Sequence, residues 1–146
     1  MENQFQLKSI KLHQDIEQCW EVALLLRPHL NKEAWLTTIL SMMETEKYRL
    51  AGIFDNGNVV AFAGFREMTS LHSGNIIYID DLCTLESYRS NGLATQLLNY
   101  INSIAIADQK NAIVLDTGFS NVTAHKLYLN HGFKLLAFHL AYRIKL

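Results

Sequence analysis

The stretch Tyr88-Arg89-Ser90-Asn91-Gly92-Leu93-Ala94-Thr95-Gln96-Leu97-Leu98 constrains the fold more than any other part of the chain. An arginine opens a short loop, a glycine follows three places on and an alanine five places on. An amphipathic helix then begins at once, with Leu93, Leu97, Ile101, Ile104 and Ala105 at helical spacing. Small residues let a backbone turn tightly and approach a ligand closely. At a helix N-terminus the unpaired main-chain N–H groups and the helix dipole both favour an anion such as a pyrophosphate. The strand-like run Asn75-Ile76-Ile77-Tyr78-Ile79-Asp80-Asp81-Leu82-Cys83-Thr84 comes just before. Strand, loop and helix together read as a phosphate cradle. It is neither G-x-G-x-x-G, whose glycines are missing, nor G-x-x-x-x-G-K-[ST], whose lysine is missing. Taken alone, R-x-x-G-x-A is also what an ordinary strand-to-helix connection looks like.

Size and charge narrow the field. A chain of 146 residues with 49% apolar content fits a single domain, 1–146, around one core. A formal charge of −1 exerts no general pull on nucleic acid or an anionic membrane. No apolar stretch approaches the roughly 20 residues needed to span a bilayer, and Met1-Glu2-Asn3-Gln4-Phe5-Gln6 lacks a secretory pattern. Cys19 and Cys83 lie far apart and without metal spacing, so they read as reduced thiols in a cytoplasmic protein. The six histidines form no H-x-x-x-H pair, and no metal site is expected.

The remaining elements follow from period and punctuation. Phe5 to Leu12 alternates as a first strand, and Asp15 to Leu26 reads as one helix stopped by Pro28. Asn31 is placed to cap a second helix presenting Trp35 and Ile39. Tyr48–Phe54 and Val59–Arg66 are strands, joined through Asp55-Asn56-Gly57-Asn58, a tight-hairpin signal. The cradle helix runs to about Asp108. Ala112-Ile113-Val114-Leu115-Asp116 reads as a strand buried on both faces. A helix from about Asn121 to Asn130 is closed by Gly132, and Phe133 to Leu146 holds two more strands. The order β-α-α-β-β-β-α-β-α-β-β implies an α/β fold with one mixed sheet and helices on its faces.

A second constellation lies downstream of the cradle. Asn121, Ala124 and Tyr128, spaced by three and then four residues, share a helix face. A small residue between an amide and a phenol leaves room for a slender chain, and the phenol can give up a proton. The plainer reading makes Tyr128 a packing aromatic and Asn121 an N-cap.

R-x-x-G-x-A opening one helix, followed by a strand and N-x-x-A-x-x-x-Y-x-x-x-G-F, resembles the GNAT superfamily of acetyl-CoA-dependent N-acetyltransferases. The likeness covers nearly the whole chain and is most specific from Ile76 to Phe133. It implies that the strand before the loop splays from the next parallel strand and that a pantetheine arm enters the gap. Leu82, Cys83 and Thr84 would then offer backbone groups to the pantetheine and the acyl carbonyl. Arg89, Asn91, Gly92, Leu93, Ala94 and Thr95 would surround the pyrophosphate. Asn121 would reach the pantetheine, and Tyr128 would protonate the leaving thiolate. Ala94 stands where a second glycine is commoner, and Tyr78 stands where some members carry a glutamate, which leaves the base in doubt. Ala124–Leu129 with Phe138-His139-Leu140 also resembles, more weakly, the bacterial aminoalkylphosphonate acetyltransferases of that family.

Direct transfer from acetyl-CoA to an amine needs a proton acceptor, since most alkylamines are protonated near neutral pH. Asp80 is the first choice, sharing a strand face with Tyr78 and Leu82 if alternation holds; Asp81 is second and Glu67 third. Two adjacent carboxylates on an apolar strand also call for a cation such as an arginine, because an unpaired buried charge is costly. Cys83 reads as strand packing, not as a nucleophile. His125 and His131 flank Tyr128 at helical spacing, either as relays or as solvated residues. Arg27-Pro28-His29-Leu30 joins the first two helices, where this fold often borders the acceptor. The expected acceptor is a small primary amine. Protein N-acetylation and a non-catalytic acyl-CoA-binding or sensing role are the alternatives, and a homodimer is left open.

Overall fold

A computed structural model describes residues 4–145. Their contacts group them into two units, Met1–Leu115 and Asp116–Leu146.

The first unit runs β1 (Phe5–Ile10), α1 (His13–Gln18), α2 (Trp20–Leu26), α3 (Trp35–Thr45), β2 (Arg49–Asp55), β3 (Asn58–Ser70), β4 (Gly74–Thr84), α4 (Leu93–Ala107) and β5 (Ala112–Leu115). Its sheet has the order β1-β2-β3-β4-β5. The first three pairings are antiparallel and β4–β5 is parallel. A parallel neighbour requires a crossover, and α4 supplies it. The apolar stripe of α4 buries Leu93, Leu97, Leu98, Ile101 and Ala105. At the hairpin, Asn56 (φ 49°) and Gly57 (φ 82°) both take the left-handed conformation that a two-residue turn of this hand requires.

The helix expected over Asp15–Leu26 is two helices, with Cys19 between them still in a helical conformation (φ −71°, ψ −13°). Asn31 caps as expected: its Oδ1 accepts from the Glu33 N–H at 2.8 Å, opening a short 3₁₀ turn that leads into α3. Trp35 Nε1–H donates to the Ile16 carbonyl at 2.8 Å, and its ring meets Trp20 edge-on at 5.7 Å. These contacts fix the three helices beside the core residues Ile10, Ile39, Leu50 and Phe62.

Strand β4 has eleven residues and β5 has four. Their parallel pairing runs from Ile76↔Ala112 to Ile79↔Leu115 and stops there. Residues 80–84 therefore have no parallel partner among the described residues, and 81–84 pair with β3 alone. Strand β5 is not buried on both faces as its composition suggested: Ala112 is exposed and Ile113, Val114 and Leu115 are half-buried. The reason is its place at the end of the strand order, with a neighbour on one side.

In the second unit, α5 (Val122–His131) starts at Asn121, whose Oδ1 accepts from the Ala124 N–H at 3.2 Å, and ends at Gly132 (φ 115°). Tyr128 meets Phe133 edge-on at 5.7 Å. The two strands expected after Gly132 are not formed: no ladder occurs over the described residues 133–145. Alternating apolar residues suit a strand, but a strand also needs a partner for its backbone groups. Here Leu135, Leu136, Phe138 and Leu140 are all exposed. The architecture is α/β with a mixed five-stranded sheet and five helices.

Candidate active site

The register of β3 against β4 shifts at the two carboxylates. Gly64 pairs with Asp81 and Phe65 pairs with Ile79, so Asp80 is an extra residue in β4. A bulge of this kind interrupts alternation and strengthens the local twist. The expectation that Asp80 shares a regular strand face with Tyr78 and Leu82 is therefore corrected.

Both carboxylates meet arginines. Asp81 Oδ1 accepts from Arg27 Nε at 3.2 Å, and Arg27 Nη2 reaches the same oxygen at 3.2 Å. Arg27 Nη2 also donates to the Asp80 carbonyl at 3.0 Å. The Tyr48 hydroxyl donates to Asp81 Oδ2 at 2.7 Å, so both carboxylate oxygens are engaged. Burial of Tyr48, and then the charge of Asp81 beside it, push its phenol well above the usual range and keep it protonated. Gly64, opposite Asp81, makes the approach feasible, because a Cβ there would overlap the Tyr48 hydroxyl.

Asp80 Oδ2 lies 3.2 Å from Arg66 Nε, close enough for an ion pair, yet neither atom has an aligned hydrogen bond. Burial raises the Asp80 pKa, and Arg66 offsets part of that rise. Arg66 also reaches Glu46 at 3.5 Å and stacks over Tyr78 at 5.8 Å. Glu67, the third candidate, pairs with Lys110 at 3.2 Å.

Beside Asp81 opens a cavity of about 320 Å³. Its polar lining is Arg27, His29, Thr38, Tyr48 and Asp81; the rest comes from apolar residues of α2, the following loop, α3 and β3. The Arg27–His29 connection thus borders the cavity as the sequence suggested, whereas Tyr48 was missed. Its contact with Asp81 spans 33 positions, and the only local sign is the glycine at 64.

Leu82, Cys83 and Thr84 are half-buried on the part of β4 that has no parallel partner. Cys83 Sγ contacts the Thr84 carbonyl at 3.9 Å, and burial raises its pKa, so it stays a thiol. Beyond them, Gly92 sits at the N-cap of α4 in the left-handed conformation (φ 73°), with open space where a Cβ would stand. The first helical bond runs from Gln96 N–H to the Gly92 carbonyl at 3.0 Å, and no side chain caps the end. The amides of Leu93, Ala94 and Thr95 thus stand at an uncapped terminus suited to an anion. The Leu93 side chain is buried, leaving its backbone for that purpose.

Asn91 spends its side-chain amide on the Tyr88 and Arg89 carbonyls at 2.9 and 3.3 Å, which shapes the turn. Arg89 is exposed. An anchor absent from the sequence reading is the Tyr88 hydroxyl, which donates to Asp55 Oδ2 at 2.8 Å. That bond raises the Tyr88 pKa and ties the loop to the end of β2. In the second unit, Asn121, Ala124 and Tyr128 lie at and along α5, with the Asn121 oxygen used as the cap. His125 Nε2 lies 2.7 Å from the Gly118 carbonyl.

Residues 10–133 match the family model described as "Acetyltransferase (GNAT) family". An uncharacterized N-acetyltransferase, YhdJ of Bacillus subtilis (strain 168), is 25% identical over 122 residues, covering 84% of this chain and 86% of that protein. The aminoglycoside N-acetyltransferase AAC(6')-Iy, solved in complex with CoA, is similar in fold with a TM-score of 0.85 at 16% identity, over 97% of this chain and 95% of that chain. A transcriptional regulator from Bacillus halodurans C-125 has the same TM-score, 0.85, at 17% identity, over 96% of this chain and 99% of that one. No helix among the described residues is long and apolar enough to cross a membrane.

Gly64→Ala tests the carboxylate network. The new methyl displaces the Tyr48 phenol and leaves Asp81 with one donor fewer, so unfolding should become easier by about 1–3 kcal/mol. Chemical denaturation checks this; an unchanged midpoint and slope would show that the phenol has another place to go.

Proposed function

The chain belongs to the GNAT acetyltransferase family and is an acetyl-CoA-dependent N-acetyltransferase, and from that premise we propose that it acetylates a small primary amine by direct attack. The observation that carries this reading is the open stretch of β4 over residues 80–84. It has the cavity beside Asp81 at one end and leads to the uncapped, glycine-turned N-terminus of α4 at the other. The three parts fit an acyl donor laid along the strand: amides of residues 92–95 for its pyrophosphate, and backbone groups of Leu82, Cys83 and Thr84 for its arm and acyl carbonyl.

The amine must lose a proton to attack. Asp80 is the proposed acceptor, since its Oδ2 has no aligned hydrogen bond and burial makes it more basic than an ordinary carboxylate. Asp81, with both oxygens engaged by Arg27 and Tyr48, positions the acceptor. Backbone N–H groups near Leu82 and Cys83 polarise the carbonyl. The departing thiolate takes its proton from Tyr128, a role that rests on the N-x-x-A-x-x-x-Y pattern. Asn121 is assigned to the donor's pantetheine on the same ground. A thiol-release assay across alkylamines, arylalkylamines, polyamines, aminophosphonates and peptides tests the reading. Donor binding without thiol release from any of them would favour an acyl-CoA sensor instead.

Three outcomes are expected. Gly92→Glu places a carboxylate where the pyrophosphate approaches and should abolish acetyl-CoA binding in calorimetry. Gly92→Ala shares the backbone strain at φ 73° without the charge and should keep binding, which separates electrostatics from strain. Asp80→Asn should lower kcat and remove the acid limb of its pH profile. With a base whose pKa is raised, wild-type kcat climbs as pH rises through a point above the usual carboxylate range. Tyr128→Phe should cut kcat by ~10²–10⁴-fold under chemistry-limited conditions while leaving donor affinity nearly unchanged; an equal loss in both would indicate packing.

A further inference from the structure

We propose that the cavity beside Asp81 selects a primary monoamine with an apolar body, an alkylamine or arylalkylamine, and discriminates against polycationic amines. This deepens the acetyltransferase reading and rests on it.

Charge is the first ground. A site built for several ammonium groups has to offer several carboxylates, because each unpaired cation taken from water carries a desolvation cost. Among the described residues Asp81 is the single carboxylate on the lining, and its oxygens already face Arg27 and Tyr48. Glu46 and Glu67 are held in pairs of their own, with Arg66 and Lys110, and Asp80, the proposed proton acceptor, is itself paired with Arg66 and is not on the lining. Arg27 and His29 stand on the same lining. A second ammonium on the substrate would therefore meet a guanidinium and an imidazole with no carboxylate to spare. A lone amine, once it has lost its proton, meets no such penalty.

Shape and surface are the second. About 320 Å³ lies at the low end of the roughly 300–1,000 Å³ typical of small-molecule sites, enough for one ring on a short chain. Trp35, Ile39, Met42, Leu30 and Ala23 line it from the helices and the loop between them, with Phe62 from β3. Such a wall gains free energy by covering hydrocarbon and offers few partners to a ring of hydroxyl groups. The exposed Thr38, on α3, lies at this wall and takes no part in the Asp81 network.

The test combines binding and turnover, so that the two readings fail separately. Calorimetry in the presence of CoA compares 2-phenylethylamine and hexylamine with spermidine and neamine; the same amines are then assayed for thiol release from acetyl-CoA. Phenylethylamine is expected to bind about tenfold tighter than spermidine or neamine, and to lead in kcat/KM by a similar factor. Thr38→Glu adds a carboxylate to the wall and should narrow that gap, chiefly by tightening spermidine. Preferential monoamine binding without turnover would support the cavity assignment while overturning its catalytic use. Equal or tighter binding of spermidine or neamine, no monoamine binding at all, or a gap unmoved by Thr38→Glu would overturn the proposal.

Discussion

Everything at the candidate site depends on lodging two adjacent carboxylates in an apolar strand. An uncompensated charge in that setting costs several kcal/mol, and removing one partner from a buried pair is more damaging than never having built it. The chain meets the requirement by adding one residue to β4. With Asp80 outside the register, Asp80 and Asp81 take different partners: Arg66 from β3 for the first, Arg27 and Tyr48 for the second. The same residue follows directly on the last parallel pair, Ile79↔Leu115. A bulge bends and twists its strand, so the device that separates the carboxylates also lies where β4 parts from β5. Acid placement and the proposed donor groove thus share one local irregularity.

The elements with strong period or punctuation were legible in the sequence. The 3.6-residue stripe of α4, the Asn-Gly hairpin and the Gly92 turn each follow from local rules. The bulge was not, because an extra residue leaves no mark on a strand where Ile79 and Leu82 still look like regular core positions. Nor were Tyr48–Asp81 or Tyr88–Asp55, each made across 33 positions. Asp55 reads locally as a hairpin residue and Tyr88 as the first position of a loop. The segment after Gly132 shows the opposite failure. Its alternation is genuine, but a ladder is a property of two segments, and over residues 133–145 the second is not supplied. The arginine partners of the carboxylates were foreseen as a class, from the cost of burying charge, but not by position.

The proposed phosphate end shows how little chemistry such a cradle would require. Asn91 shapes the turn with its own amide, Gly92 takes the conformation a larger residue resists, and Tyr88 ties the turn to Asp55. Nothing charged is required at the helix end itself. Donors held in place before a ligand arrives need no reorganisation when it binds, which is what makes backbone amides effective there. Arg89 is exposed at the loop's start, where its charge would act on a bound anion only at longer range, screened by salt.

The compensated charge of the proposed acceptor cavity also bears on the chemical step. An alkylammonium does not attack a thioester; the free amine does. A cavity rich in bare carboxylates would bind the ammonium tightly and, by the same interaction, hold its proton in place. That affinity would be uniform binding, or worse, since it favours the ground state over the transition state. A wall of hydrocarbon around a carboxylate already neutralised by Arg27 and Tyr48 acts in the other sense. Desolvation there would disfavour the charged amine, and burial makes Asp80, the neighbour of the cavity's acid, more basic than an ordinary carboxylate. Each shift moves the proton in the same direction, from nitrogen to carboxylate. Weak attraction for the cation is thus a property that the proposed direct transfer would require of this site.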